Sequence, residues 1–371
     1  FTMLKNDLFI GLISGTSVDG VDCVLVSFAG DKPVLIASYF EESSTELRER
    51  ILTLCEGNII GLPMLGETDV VVGKWFATAA NNLLANAKVD AVNIRAIGSH
   101  GQTIWHQPAG DNPFSQQIGN PNTIAQLTGI TTVADFRQRD MAVGGQGAPL
   151  APLLHREVFQ SHSVDRAVIN IGGIANITML PTNGACLAFD SGPGNMLMDY
   201  WIGKHQKKRL DKNGEWASTG ASNKELLACF LNDSYFELSP PKSTGRELFN
   251  GSWLEQKLEE FGQPIEPIDV QATLIDCTVD SIANAISALF PPEEIYVCGG
   301  GAHNDVLMSK LKSAMPYTTV LTTSQLKIDP DWVEAVSFAW MAKQTIEGHK
   351  IDTSAFTGAT EPVVLGGIFS V

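Results

Sequence analysis

The chain has 371 residues, 44% of them hydrophobic, and a formal net charge of −16. That length can bury a substantial core and points to two domains rather than one. The acidity, with no basic stripe to offset it, argues against nucleic acid or an anionic membrane as partner, so an anionic ligand must be met locally by amides, a metal or a few arginines.

No apolar run approaches the roughly 20 residues that span a bilayer, and no basic segment with a cleavage site opens the chain. The expectation is a soluble, cytoplasmic protein. Phe1 and Thr2, ahead of Met3, read as a remnant of expression cloning. Six cysteines, Cys23, Cys55, Cys186, Cys229, Cys277 and Cys298, are scattered without the paired spacings of a zinc site or a disulfide framework. Most are expected to be reduced, buried and structural.

Strand and helix patterns alternate along most of the chain, which predicts an α/β architecture. The first element is a hairpin over residues 9–26, whose tip Gly15-Thr16-Ser17-Val18-Asp19-Gly20-Val21-Asp22 is rich in glycine, hydroxyls and carboxylates. Glycines let backbone amides approach an anion, and Asp19 and Asp22 are oxygen ligands suited to Mg²⁺, directly or through water. An ordinary hairpin turn favours the same residue types. Apolar alternation predicts strands over 8–14, 21–28, 34–40 and 96–99, with helices over 46–55 and 68–87. Ser43 and Glu46 are spaced as a capping box, and Asn120, Pro121 and Gly129 bracket a helix over 121–127.

A second glycine hairpin, Asn170-Ile171-Gly172-Gly173-Ile174-Ala175-Asn176, opens the other half. Further strands are predicted over 166–171, 175–180, 186–189, 295–298 and 319–322, and helices over 269–289 and 331–347. Two hairpin-led halves suggest related domains facing each other across a cleft; two unrelated hairpins are the alternative. The expected division is 1–136 with about 349–371 in one domain and 137–348 in the other, with the arginine- and glycine-rich loop 135–149 as linker or cleft lining.

Four further segments carry chemistry. Asp190, in Asp190-Ser191-Gly192-Pro193-Gly194-Asn195, sits at a predicted strand end before a helix, where it serves as a general base or as a helix cap. Gly299-Gly300-Gly301 removes side chains before a helix start carrying Asn304, which suits a ring or sugar pressed on the backbone. It is neither a Rossmann fingerprint nor a P-loop. His100, in Ser99-His100-Gly101-Gln102-Thr103, reads as a sugar-binding or a structural histidine. Glu334 opens a largely apolar helix, complementing its dipole or reaching substrate or metal.

In chain order, the first hairpin tip, Ser99 to Thr103, Asp135-Phe136-Arg137 with Gly144-Gly145-Gln146-Gly147-Ala148-Pro149, the second hairpin, Asp190 to Asn195 and Gly299-Gly300-Gly301-Ala302 with Asn304 closely resemble the anhydro-N-acetylmuramic acid kinase family. One such motif is weak; six in the same order over nearly the whole chain are specific. The resemblance implies two duplicated actin-like, ribonuclease H-like domains flanking a nucleotide cleft, in a cytoplasmic bacterial homodimer. It implies a kinase that takes 1,6-anhydro-N-acetylmuramic acid, ATP and water to N-acetylmuramic acid 6-phosphate and ADP. On this likeness Asp190 matches the catalytic base. Gly15 to Asp22 match the first phosphate segment, Gly172, Gly173 and Asn176 the second, Gly299, Gly300, Gly301 and Asn304 the adenosine side, and His100, Arg137 and Glu334 the amino-sugar site. Val18 stands where the family often has Leu, and Ser191 where Thr is common. A nucleotide-driven filament or chaperone of the same fold, and an ATP-independent glycosidase or phosphatase, stay open as competing readings.

Overall fold

Alternating β-branched and leucine residues bounded by glycine turns fold here as twelve strands among the described residues. These are β1 (Leu8–Ser14), β2 (Gly20–Ser27), β3 (Val34–Glu42), β4 (Ile94–Gln107), β5 (Phe114–Ile118), β6 (Thr132–Ala134), β7 (Arg166–Ile171), β8 (Ile174–Leu180), β9 (Leu187–Pro193), β10 (Glu294–Cys298), β11 (Thr319–Thr322) and β12 (Gly367–Phe369). The computed structural model describes residues 7–30, 32–57 and 61–371, so Phe1, Thr2 and Met3 lie outside the described residues.

The chain divides into two compact units, one made of Phe1–Leu154 with Trp332–Val371 and the other of His155–Asp331. The first holds a sheet in the order β12-β6-β4-β1-β2-β3, with β5 beside β4. Its β1, β2 and β3 are antiparallel neighbours, and β4 and then β6 continue parallel to β1. The second unit's sheet runs β11-β10-β7-β8-β9. Here β7, β8 and β9 are antiparallel, and β10 and β11 continue parallel to β7. Read from the third strand, both units show the same order and the same directions, the pattern of a duplicated α/β domain.

One face of the first sheet presents Leu8, Ile10, Leu12, Val21, Cys23, Leu25 and Ile97 to a core filled by Ile51, Leu54, Phe76, Ala80 and Leu83 from the helices Thr45–Cys55 and Leu62–Ala87. On the other face the helix Val333–Ile346 lies against the backbone itself. A Cβ at Gly11 would come within 1.9 Å of the Ala335 carbonyl oxygen, and one at Gly98 within 2.0 Å of the Phe338 carbonyl oxygen. Only glycine permits that approach. In the second unit Ile169, Ile171, Ile177, Phe189 and Val297 pack with Leu274, Ile282, Leu307 and Leu311.

The units divide elsewhere than the sequence suggests. Segments 137–154 and 332–348, expected in the second domain, belong to the first unit. The helix Val333–Ile346 brings its small and apolar residues to β1 and β4, a long-range pairing that no local signal marks. Loop 135–149 is no linker: it contains the helix Phe136–Met141 and lies inside the first unit. Two local readings also shift. The cap of Thr45–Cys55 is Ser44, whose Oγ accepts the Leu47 N–H at 3.1 Å, while Ser43 Oγ donates instead to the Val18 carbonyl at 2.8 Å. β9 runs on to Pro193, so Asp190 lies within a strand, and the helix Met196–Gln206 starts after Asn195. No helix among the described residues is long and apolar enough to cross a membrane, and their cysteines form no disulfide.

Candidate active site

In the first unit, the tip of the β1–β2 hairpin leaves Gly15 and Thr16 exposed. Val18 takes a positive φ of 54°, a region that strains a β-branched residue. Its buried side chain and the Ser43 bond to its carbonyl hold it there. Ser17 Oγ donates to Asp19 Oδ1 at 2.6 Å, and Arg48, which the sequence reading passed over, donates its Nε–H to the Ser17 carbonyl at 3.2 Å. A Cβ at Gly20 would strike the Phe40 ring, and Val21 points into the core, so both offer a ligand only their backbone. Asp22 lies half-buried on β2, one residue from Val21 and therefore on the opposite face of the sheet. Two carboxylates in four residues form a donor set that fits a hard cation, which commonly takes one or two carboxylates and completes its shell with water and phosphate.

The same unit gathers the expected sugar residues. His100, near the middle of β4, stacks on Phe338 with ring centroids 4.7 Å apart. Its Nε2 accepts the Arg137 Nε–H at 2.9 Å, and its Nδ1 lies 3.0 Å from the Gly101 carbonyl. Burial, then the Arg137 charge, holds this imidazole well below the usual histidine range. His100 is therefore neutral, with its proton on Nδ1 and its Nε2 lone pair on Arg137. Arg137 Nη1 donates to the Gly147 carbonyl at 2.7 Å. Burial pushes this guanidinium down to about 10, against the pull of Glu334 and Asp140, so it stays cationic at neutral pH. Glu334 keeps an accessible surface yet stands crowded by protein, which raises its carboxyl while the Arg137 charge opposes the rise. A fixed cation held by a neutral histidine, with a carboxylate near enough to feel its charge, suits a ligand that carries both a carboxylate and hydroxyls.

In the second unit three of the expected segments come together. The Gly172 and Gly173 carbonyls at the β7–β8 tip accept the N–H groups of Asn195 at 2.8 Å and Gly194 at 2.9 Å. A Cβ at Gly194 would lie 2.3 Å from the Gly172 oxygen, one at Gly299 (φ 76°) 2.3 Å from Asn170 Oδ1, and one at Gly301 2.4 Å from Ile171 Cγ2. Asn195 Nδ2 ties the corner to the Ile171 carbonyl at 3.1 Å. Glycine is required here because backbones touch. Asn304 is engaged differently: its Oδ1 caps the helix Asp305–Ala314 through the Leu307 N–H at 3.0 Å. Along that helix, Val306 and Lys310 help line a cavity of about 280 Å³ with Ala217, Gly220, Ala272 and Ile275.

Asp190 pairs across the sheet with Asn176. It caps no helix. Its Oδ2 accepts the Thr244 N–H at 2.9 Å, its N–H donates to the Lys242 carbonyl at 2.9 Å, and its carbonyl accepts the Tyr235 hydroxyl at 2.7 Å. Lys242 in turn stands 4.5 Å over the Tyr235 ring. Asp190 Oδ1 makes no hydrogen bond to any described residue. Burial lifts this carboxyl to about 6, the Thr244 N–H opposes and the Glu247 charge adds to the rise. Near neutral pH it is an ionised base with one oxygen in hand. Tyr235, Lys242, Thr244 and Glu247 were missed by sequence reasoning; the polar run Lys242 to Glu247 after Pro240-Pro241 was the available signal.

The sequence model of anhydro-N-acetylmuramic acid kinase matches residues 7–371. The chain belongs to the anhydro-N-acetylmuramic acid kinase family. The kinase of that name from Saccharophagus degradans is 47% identical over 370 residues, spanning 99% of this chain and 100% of its own length. The one from Shewanella sp. (strain MR-4) is 50% identical over 368 residues, with 99% and 100% covered. Among solved structures, component A of the (R)-2-hydroxyglutaryl-CoA dehydratase of Acidaminococcus fermentans aligns with 90% of this chain and 96% of its own, at a TM-score of 0.48 and 10% identity. At that distance nothing about this chain's ligands follows.

Proposed function

We propose that the protein is the ATP-dependent kinase that opens 1,6-anhydro-N-acetylmuramic acid with water and phosphorylates its 6-oxygen, giving N-acetylmuramic acid 6-phosphate and ADP in cell-wall recycling. Family membership over the full length supports this over a filament, a chaperone or an ATP-independent hydrolase. The observation that carries the chemistry is the Asp190 carboxylate, fixed through Oδ2 and unengaged at Oδ1, with its pKa raised to about 6. Asp190 takes a proton from a water whose oxygen bonds to the anomeric carbon. The bond from that carbon to the bridging oxygen breaks, and the released 6-oxygen takes the γ-phosphoryl group as ADP departs. Such a transfer needs positioning and charge stabilisation more than covalent help from the protein.

His100, Arg137 and Glu334 bind the sugar, with the Arg137 guanidinium on the lactyl carboxylate. The amides of Gly15 to Asp22 and of Gly172 and Gly173 hold phosphate, with Asn176 beside them. Gly299, Gly300 and Gly301 bear on the nucleoside, Asn304 acts there as a helix cap, and the cavity lined by Ala272, Ile275 and Val306 suits an apolar ring. Asp19 and Asp22 would hold Mg²⁺; when bound, the ion offsets phosphate charge. The protein works as a cytoplasmic homodimer on this reading, which sedimentation tests. The activity itself is tested by incubating the protein with Mg²⁺, ATP and the anhydro sugar and following ADP and product by mass spectrometry. One ADP per sugar phosphate with the mass of one added water is expected; product formed without ATP overturns the reading.

A further inference from the structure

Asp140 is fully buried, yet it belongs to none of the roles above. Its Oδ1 accepts the Thr353 hydroxyl at 2.5 Å and the Thr357 hydroxyl at 2.8 Å, both from the segment that follows the helix Val333–Ile346. Its Oδ2 accepts the Gly147 N–H at 2.8 Å. A buried carboxylate costs a great deal unless it is met by donors, and three strong ones meet this group. The carboxylate also shapes the loop around it. A Cβ at Gly145 would lie 2.1 Å from Asp140 Oδ2, and the Asp140 carbonyl accepts the N–H groups of Val143 and Gly145 at 3.1 Å each. Gly147 is thus clasped from both sides. Its N–H is held by Asp140, and its carbonyl holds Arg137 Nη1 at 2.7 Å. Gly147 has a φ of 73°, so its peptide orientation is set by these contacts and not by a local helix or strand.

We propose that Asp140 is a positioning residue for sugar recognition, which aims the Arg137 guanidinium through Gly147 and locks that aim to the Thr353–Thr357 segment. The proposal rests on the reading of Arg137 as the group that meets the substrate carboxylate. It is distinct from a fold-stabilising role because it acts on one substrate and through one residue.

The test is a double-mutant cycle of Asp140→Asn and Arg137→Ala in the full chain, with KM measured separately for the anhydro sugar and for ATP. Asp140→Asn is expected to raise KM for the sugar about tenfold while KM for ATP stays within about twofold, and to add nothing in the Arg137→Ala background. Equal changes in both KM values, no change in either, or additive effects in the double variant overturn the proposal. Where Asp140→Asn does not fold, Thr353→Val, which removes one donor and leaves two, carries the same comparison against Arg137→Ala. A wild-type protein that makes no sugar phosphate would overturn the proposed function instead, before any variant is compared.

Discussion

Arg137 is aimed by a neutral histidine: its Nε–H donates to His100 Nε2 at 2.9 Å. A hydrogen bond to a charged group contributes roughly 1.5–3 kcal/mol, so His100→Phe, which keeps an aromatic ring on Phe338 but no acceptor, should raise KM for the sugar about tenfold or more. KM for ATP should hold. Steady-state kinetics with each substrate varied in turn checks this, and a matching loss on both sides would contradict it.

The same histidine ties stability to acidity. Because its folded pKa lies well below the ordinary 6.5, the unfolded chain binds this proton first as pH drops. Its contribution is complete above about 6.5 and is lost progressively below. His100→Phe should therefore flatten the acid side of the stability curve relative to wild type, read by urea midpoints from pH 7 to 5. An unchanged slope would place the protonated imidazole in the folded state.

Asp190 owes part of its raised pKa to the Glu247 charge. Glu247→Gln should move the acid limb of kcat/KM for the sugar, at saturating ATP, toward lower pH while leaving the plateau near its wild-type height. A limb that stays put, or moves up, would separate that limb from Asp190.

Much of this was legible in the sequence because the signals were local. Glycine tips at 15, 172 and 299 and the Asn120 cap, whose Oδ1 accepts the Thr123 N–H at 3.0 Å, announce themselves within a few residues. What stayed hidden depends on distant partners. Residues 100–107, rich in His, Gln and Thr, carry no strand pattern and extend β4 because β5 pairs with them. Asp190 reads as a general base or helix cap at a strand end until β8 is seen to pair with β9 through to Pro193. The spacing to Glu46 favours Ser43 as the cap, but Ser43 is drawn to the Val18 carbonyl and Ser44 caps the helix instead. Tyr235, Lys242 and Thr244 reach Asp190 from a stretch that has no periodicity to read.

Gly11→Ala tests how the helix bearing Glu334 and Phe338 is seated. The new methyl would meet the Ala335 carbonyl oxygen, so the helix must shift or the side chain must strain. A loss of about 1–3 kcal/mol or more is expected, read as a lowered urea midpoint, together with weakened sugar binding. Wild-type stability would mean that this helix does not rest on β1.

Asp22→Asn tests the proposed Mg²⁺ role of the first hairpin tip. The half-saturating Mg²⁺ concentration for ADP formation should rise, with KM for the sugar unmoved, because an amide is a poorer ligand for a hard cation. No change in the Mg²⁺ requirement would remove Asp22 from that role.

The most direct measurement is product formation in ¹⁸O-labelled water by wild type and Asp190→Asn. Label is expected in the anomeric hydroxyl of the wild-type sugar phosphate, with a loss of about 10²–10⁴-fold in rate for the variant and nucleotide binding retained. Unlabelled product, or near-normal turnover without the carboxylate, would contradict this chemistry.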